Sequence, residues 1–250
     1  MESLLKLLSP YELRARTLPG MLLIAPVIAL FTGLIPMAHS WQAMTAIVVG
    51  WFAIGYPIGQ WMRDIAQPQQ AALFTGWGGA PTTQLLRWSN PSVSDQEKEV
   101  ARASVLRLGE FKWLTQEQER ANPGEADAHL KTVVGAILAA ARRHPEQYER
   151  MDRASAHFGF QRNCFYSRSV GSIIAAVSAI LSGACLVLPG LPVDATLVIL
   201  ADGFCLAMLL FWTTGVSARR LRVSGDAFAM EVFHHLPTFV ENRRGPGASS

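Results

Sequence analysis

The residues that invite a chemical reading lie in one stretch, Phe74-Thr75-Gly76-Trp77-Gly78-Gly79-Ala80-Pro81-Thr82-Thr83-Gln84-Leu85-Leu86-Arg87. Glycines just ahead of a helix start can leave backbone amides pointing outward, and such amides hold phosphate and carboxylate groups. On that reading Gly76, Trp77, Gly78, Gly79, Thr82 and Thr83 form an anion-binding corner, and Arg87 supplies the counter-charge. The stretch lacks the Gly-Lys-Ser/Thr of a P-loop, and no apolar strand precedes it. A structural reading therefore stands beside the first. Gly76, Gly78 and Gly79 give a tight turn, Trp77 anchors it, and Pro81-Thr82 opens a helix.

Asp202 is the second candidate, because it interrupts an otherwise uncharged apolar run. An acid at the centre of a membrane helix costs about 2.5–3.5 kcal/mol on insertion scales, so it must face other helices, be protonated or meet water. Proton coupling or a pore lining is one reading. A protonated Asp202 hydrogen-bonded to Ser178 or Ser182 is the other.

The remaining chemistry-bearing types do not assemble. His234 and His235 are adjacent and point to different helix faces, while His129, His144 and His157 are scattered without ligand spacing. Cys164, Cys185 and Cys205 show neither metal nor redox spacing and read as small packing residues. No serine sits in a Gly-x-Ser-x-Gly elbow. The expectation is no catalytic residue, no metal and no cofactor.

The elements that carry these residues follow from composition. Half of the 250 residues are apolar and 16% are charged, against about 25% in ordinary soluble proteins. The deficit is local. Residues 18–38, 42–62 and 169–193 contain no Asp, Glu, Lys or Arg, and residues 195–218 contain only Asp202. Each run reaches the roughly 20 residues needed to cross a hydrocarbon core. The fold class expected is an all-α integral membrane protein. Four transmembrane helices form two hairpins, residues 18–62 and 169–218, flanking a helical cytosolic insert at residues 63–168.

Charge sets the orientation. Of the 22 Lys and Arg, three precede the first span, 14 lie in the insert and five follow the last span. The links around His39-Ser40-Trp41 and Pro192-Val193-Asp194 carry none. Cationic loops stay in the cytoplasm, so both termini and the insert are expected there, in a multi-pass inner-membrane protein. The first apolar run is too long for a signal core and is followed at once by a second, which reads as a retained anchor. Residues 1–17 read as an interfacial amphipathic helix, with Ser9-Pro10-Tyr11-Glu12 as a helix start and Leu4, Leu5 and Leu8 on the apolar face. Residues 219–250 read as a cytosolic amphipathic helix, whose Leu221, Val223, Phe228, Val232, Phe233 and Leu236 pack on the insert or on the bilayer surface, and a disordered tail.

Small residues mark where helices approach. Gly55 and Gly59 have GxxxG spacing, and Gly171, Ala175, Ala179 and Gly183 recur every four residues along one face. Such faces serve the bundle or a homo-oligomer. Trp41, Trp61 and Trp212 fall near span ends, where indole anchors sit. In the insert, Ser94-Asp95-Gln96-Glu97 is a capping box that opens a helix to about Leu108, and Thr115-Gln116-Glu117-Gln118 caps a short turn. Asn122-Pro123-Gly124-Glu125 starts an amphipathic helix that stops before His144-Pro145, and a further helix covers residues 146–157.

The insert holds 14 basic and 12 acidic residues, too even for a phosphate-tracking domain, so no nucleic-acid partner is expected. Arg14, Arg16, Arg63, Arg162, Arg168, Arg219, Arg220 and Arg222 flank the spans and suit anionic lipid head groups.

Trp77-Gly78-Gly79-Ala80-Pro81-Thr82-Thr83 with Leu85-Leu86-Arg87, and Phe158-Gly159-Phe160-Gln161-Arg162-Asn163 before the third span, carry a resemblance. The chain resembles a group of uncharacterised bacterial multi-pass membrane proteins with a Trp-Gly-Gly-x-Pro-Thr-Thr motif in a cytosolic insert. The resemblance implies a bacterial inner-membrane protein and brings no activity with it. The function expected is a non-enzymatic module whose cytosolic domain senses or docks a cytosolic partner while its helices anchor, assemble or open. The alternative is a small integral-membrane enzyme or transporter using Asp202 or the Gly78-Gly79/Arg87 corner.

Overall fold

The structure, a computed structural model, describes residues 10–34, 40–188 and 194–244, and every regular element among them is helical. The expectations for Leu4, Leu5, Leu8 and Ser9, for His39, for Pro192-Val193 and for the tail at residues 245–250 lie outside the described residues. In chain order the helices are α1 (Pro10–Leu34, with a π-turn at Leu13–Thr17), α2 (Trp41–Gly76), α3 (Pro81–Leu86), α4 (Asp95–Leu106) and α5 (Gln116–Ala121). They continue with α6 (Pro123–Arg143), α7 (Glu149–Val187), α8 (Ala195–Leu210, extended by a π-turn to Gly215), α9 (Ala218–His234) and α10 (Leu236–Arg244). Four stretches, built on α1, α2, α7 and α8 with its π-turn, are long and apolar enough to cross a membrane.

The chain forms two compact units, one from Met1–Gln69 and Ala156–Leu221, the other from Gln70–Ser155 and Arg222–Ser250. Their borders fall inside α2, α7 and α9 rather than at helix ends.

The first unit is built from the apolar helices. Leu23, Met62, Cys164, Ala175, Met208, Trp212 and Val216 form its core. Its outward residues are apolar too: Ile180 is 70% exposed and Leu200 64% exposed. Water disfavours such a surface, whereas lipid accepts it.

Glycine decides how closely these helices approach. A Cβ on Gly20 would lie 2.0 Å from the Gly55 carbonyl oxygen, and one on Gly59 would lie 2.1 Å from the Arg16 carbonyl oxygen. The GxxxG pair of α2 therefore receives α1 backbone against backbone, with Gly20 as the residue it receives. Trp51 Nε1 donates to the Met21 carbonyl at 2.9 Å and fixes the same pair.

The stripe on α7 is used in part. A Cβ on Gly171 would meet the Trp212 ring at 2.3 Å, and Ala175 and Ala179 are buried. Gly183 has no described atom within 4 Å of its Cβ position, so the close contact ends one turn earlier. There Ser182 is buried, and its hydroxyl donates to the Val198 carbonyl at 3.2 Å.

Trp41 and Trp61 are exposed, but Trp212 is fully buried and is a core residue rather than an interface anchor. A terminal position in the sequence marks depth, while the bare Cα of Gly171 is what draws the ring inward. α7 also departs from expectation. Residues 146–157 and the third apolar run form one unbroken helix, Glu149–Val187, after a 3-10 turn at Pro145–Gln147. No proline follows Pro145 before Pro189, so nothing in the chain stops the helix at the membrane end.

The second unit is held by caps and one apolar core. Ser94 and Thr115 both complete capping boxes, with Glu97 and Gln118 reaching back to the cap amides. Asn122 caps α6 by accepting from the Glu125 amide. The core joins Val105, Leu130, Val133, Ile137 and Tyr148 to Val232, Leu236, Phe239 and Val240. The C-terminal segment thus supplies a wall of this core, the first of the two packings read from its apolar face.

Candidate functional site

The glycine corner is a closed turn. α2 ends at Gly76, and the Gly79 amide donates to the Phe74 carbonyl at 2.7 Å while the Gly78 amide donates to Thr75 at 3.0 Å. These bonds satisfy carbonyls that a helix end leaves orphaned. Gly78 has φ +79° and Gly79 φ +133°, a region closed to most side chains. The Gly78 and Gly79 amides are thus spent on the helix end. Thr82 and Thr83 are buried in the short helix α3.

Arg87 is engaged in the same way. Its Nε donates to Asp127 Oδ1 at 2.8 Å and its Nη2 to Asp127 Oδ2 at 2.6 Å, a two-pronged pair. Nη2 also donates to the Gly78 carbonyl at 3.0 Å. The Asp127 carboxylate holds the Arg87 guanidinium above its ordinary value, through the hydrogen bond first and charge attraction after the opposing cost of burial.

Trp77 is fastened from the other side. Arg222 lies 4.9 Å from the Trp77 ring centroid and donates from Nη2 to Gln84 Oε1 at 2.6 Å. Gln84 in turn donates from Nε2 to the Trp77 carbonyl. Arg222 also pairs with Asp226. The corner is therefore a clasp made of Trp77, Gln84, Arg87, Asp127 and Arg222.

A second polar constellation went unread in the sequence. Lys98 and Glu119 are both buried. Lys98 Nζ donates to the carbonyls of Trp88 and Asn90, and Glu119 accepts from the amides of Trp88 and Ser89 at 3.2 and 3.4 Å. One ammonium and one carboxylate thus hold the loop after Arg87 from both ends. Burial pushes Lys98 below its ordinary value, against the pull of Asp95 and Glu119. The available signal was spacing: Lys98, Ala101 and Val105 fall on one helical stripe, and a cation on an apolar stripe needs internal acceptors.

Asp202 is half-buried on α8, and Ser182 directs its hydroxyl to Val198 instead of to this acid. Among the described residues no group of three His, Cys, Asp or Glu could hold a metal ion. The second unit also carries a groove of about 350 Å³, lined by Val100, Ala101, Phe233, Leu236 and Pro237 among others. Glu97 stands at its rim, held below the usual carboxylate value by hydrogen bonds from Ser94. Comparison of the chain with protein-family models, with curated proteins and with solved structures finds no match.

Proposed function

We propose that this chain is a non-enzymatic inner-membrane module. Two transmembrane hairpins anchor it, and its termini and second unit lie in the cytoplasm, where that unit docks a cytosolic partner. The observation that carries this reading is the segregation of Lys and Arg: 22 in all, none in the short links between paired apolar runs. The groove over Val100 and Phe233 supports docking, because Val100 is 64% exposed inside it. With an ionised Glu97 at the rim, it suits an amphipathic helix that carries a basic residue beside its apolar face. The glycine clasp serves as scaffold in this reading, since the Gly78 and Gly79 amides and Arg87 are occupied within the chain.

The test is a set of reporter fusions in the full chain, at Gln69, Gly124 and the C-terminus, with one between the third and fourth apolar runs. The first three should report cytoplasm and the fourth the opposite side. A cytoplasmic signal from the fourth rejects the hairpin arrangement.

A further inference from the structure

The groove of the second unit lies where two helix ends of opposite polarity meet. α4 enters it with its first turn, which carries Glu97, and α9 ends in it at His234. An anion suits the start of a helix and a cation suits its end, so each side chain matches the end that holds it. The His234 ring packs edge to face on Phe233, with centroids 6.3 Å apart, beside the apolar lining.

Charge in the groove is one-ended. Gln96 and Glu97 line one end, and Ser104 lines the other, two turns and about 10 Å further along α4. The Ser104 hydroxyl donates to the Val100 carbonyl at 2.9 Å and so serves its own helix. At the charged end, Ser94 donates to Glu97 Oε2 from its amide at 3.0 Å and from its hydroxyl at 2.7 Å. Both bonds fall on one oxygen, so Oε1 is left for a cation that a ligand brings. The same bonds hold Glu97 below the usual carboxylate value, and it stays ionised in mildly acidic medium.

Among the described side chains lining the groove, Glu97 and His234 are the two that titrate, and α10 adds only Leu236 and Pro237. The neighbouring charges on α4 and α9 have partners of their own. Asp95 lies 3.9 Å from Lys98, Glu99 lies 3.0 Å from Arg102, and Glu231 lies 3.9 Å from His235. The charge of the groove therefore has two settings. With His234 neutral it is the single negative charge of Glu97, and with His234 protonated the two cancel.

We propose that Glu97 and His234 form a pH-dependent gate on this groove, which admits a basic amphipathic helix when His234 is neutral and weakens its hold when His234 is protonated. The inference rests on the docking reading above and adds its regulation. The groove of about 350 Å³ has room for about a dozen waters. Apolar side chains of the docked helix displace them from Val100, Phe233 and Leu236, while its Lys or Arg meets Glu97 Oε1. Histidine is the side chain that changes charge between about pH 5 and 8, so acidification within that range closes the gate.

The experiment uses the full chain in phosphatidylcholine nanodiscs, whose neutral surface does not attract a basic peptide. The probe is a fluorescent helical peptide of about 18 residues, with leucines at i, i+3, i+4 and i+7 and one lysine beside them. A twin peptide carries glutamine in place of the lysine. Fluorescence anisotropy gives Kd at about pH 8 and about pH 5.5 at fixed ionic strength. The wild type should bind the lysine peptide about threefold more weakly at the lower pH, the size of one exposed charge interaction, and the glutamine twin equally at both. His234→Gln should keep the tighter binding at both pH values. Glu97→Gln should bind the two peptides alike and lose the pH effect. Val100→Gln, a change at an exposed position, should weaken every combination. A pH effect that persists in His234→Gln, or is absent from the wild type while Val100→Gln still weakens binding, overturns the gate and leaves the docking reading standing. Binding no stronger than to empty nanodiscs, or indifferent to Val100→Gln, overturns the docking reading and the gate with it.

Discussion

Arg87 and Asp127 stand forty positions apart and meet through two parallel hydrogen bonds of 2.8 and 2.6 Å. The pair ties the start of the second unit to its longest complete helix, because Asp127 lies in the first half of α6. It also ties the glycine turn to both, through the Arg87 bond to the Gly78 carbonyl.

Removing one member of this pair leaves its partner partly buried and uncompensated. Arg87→Ala and Asp127→Ala should each destabilise the protein by about 2–3 kcal/mol, at the lower end for pairs that retain some solvent. The double variant should cost no more than either single one, so the coupling in a double-mutant cycle is nearly the whole effect. Denaturant melts of the full chain, followed by tryptophan fluorescence, measure all three. Simple additivity would show that the two residues act independently.

The cap of α4 gives a pH signature. Hydrogen bonds from Ser94 hold the folded Glu97 carboxyl below its ordinary value, so the unfolded chain takes up that proton first as the medium is acidified. The stabilisation is whole above the unfolded value of about 4.3 and is lost as pH falls through the lower folded value. Glu97→Gln keeps the shape of the capping box without the titration. The stability advantage of wild type over this variant should therefore be constant from neutral pH down to about 5 and shrink below about 4.3. Parallel thermal melts across that range follow the difference, in which the other carboxylates cancel.

Local signals were legible and long-range partners were not. Ser94, Thr115 and Asn122 announce the starts of α4, α5 and α6, because a cap depends on residues within one turn. The apolar runs announce the long helices through composition alone. The amphipathic face of Val232 and Leu236 was visible, but periodicity names a buried face without naming what buries it. The same limit hid most of the clasp. Gly78 and Gly79 signal a turn, yet nothing near them in sequence points to Asp127 or Arg222. Lys98 was hidden differently, because a basic residue in a charged segment reads as solvated until its acceptors are seen.

The glycines of the apolar unit separate close approach from mere smallness. Gly20→Ala and Gly59→Ala each place a methyl about where a carbonyl oxygen of the neighbouring helix already lies, within 2.0 and 2.1 Å. Backbone cannot yield as a flexible side chain can, so α1 and α2 must separate and lose the contacts between them. Gly50 and Gly183 serve as matched controls in apolar helices, since neither has a described atom within 4 Å of its Cβ position. Alanine there meets no obstacle and favours the helix by about 0.5–1 kcal/mol in soluble reference systems. Thermal unfolding of the four variants in the same detergent should show lowered midpoints for Gly20→Ala and Gly59→Ala. Gly50→Ala and Gly183→Ala should leave the midpoint unchanged or raise it. Equal responses from all four would mean that the α1 and α2 backbones do not meet at Gly20 and Gly59.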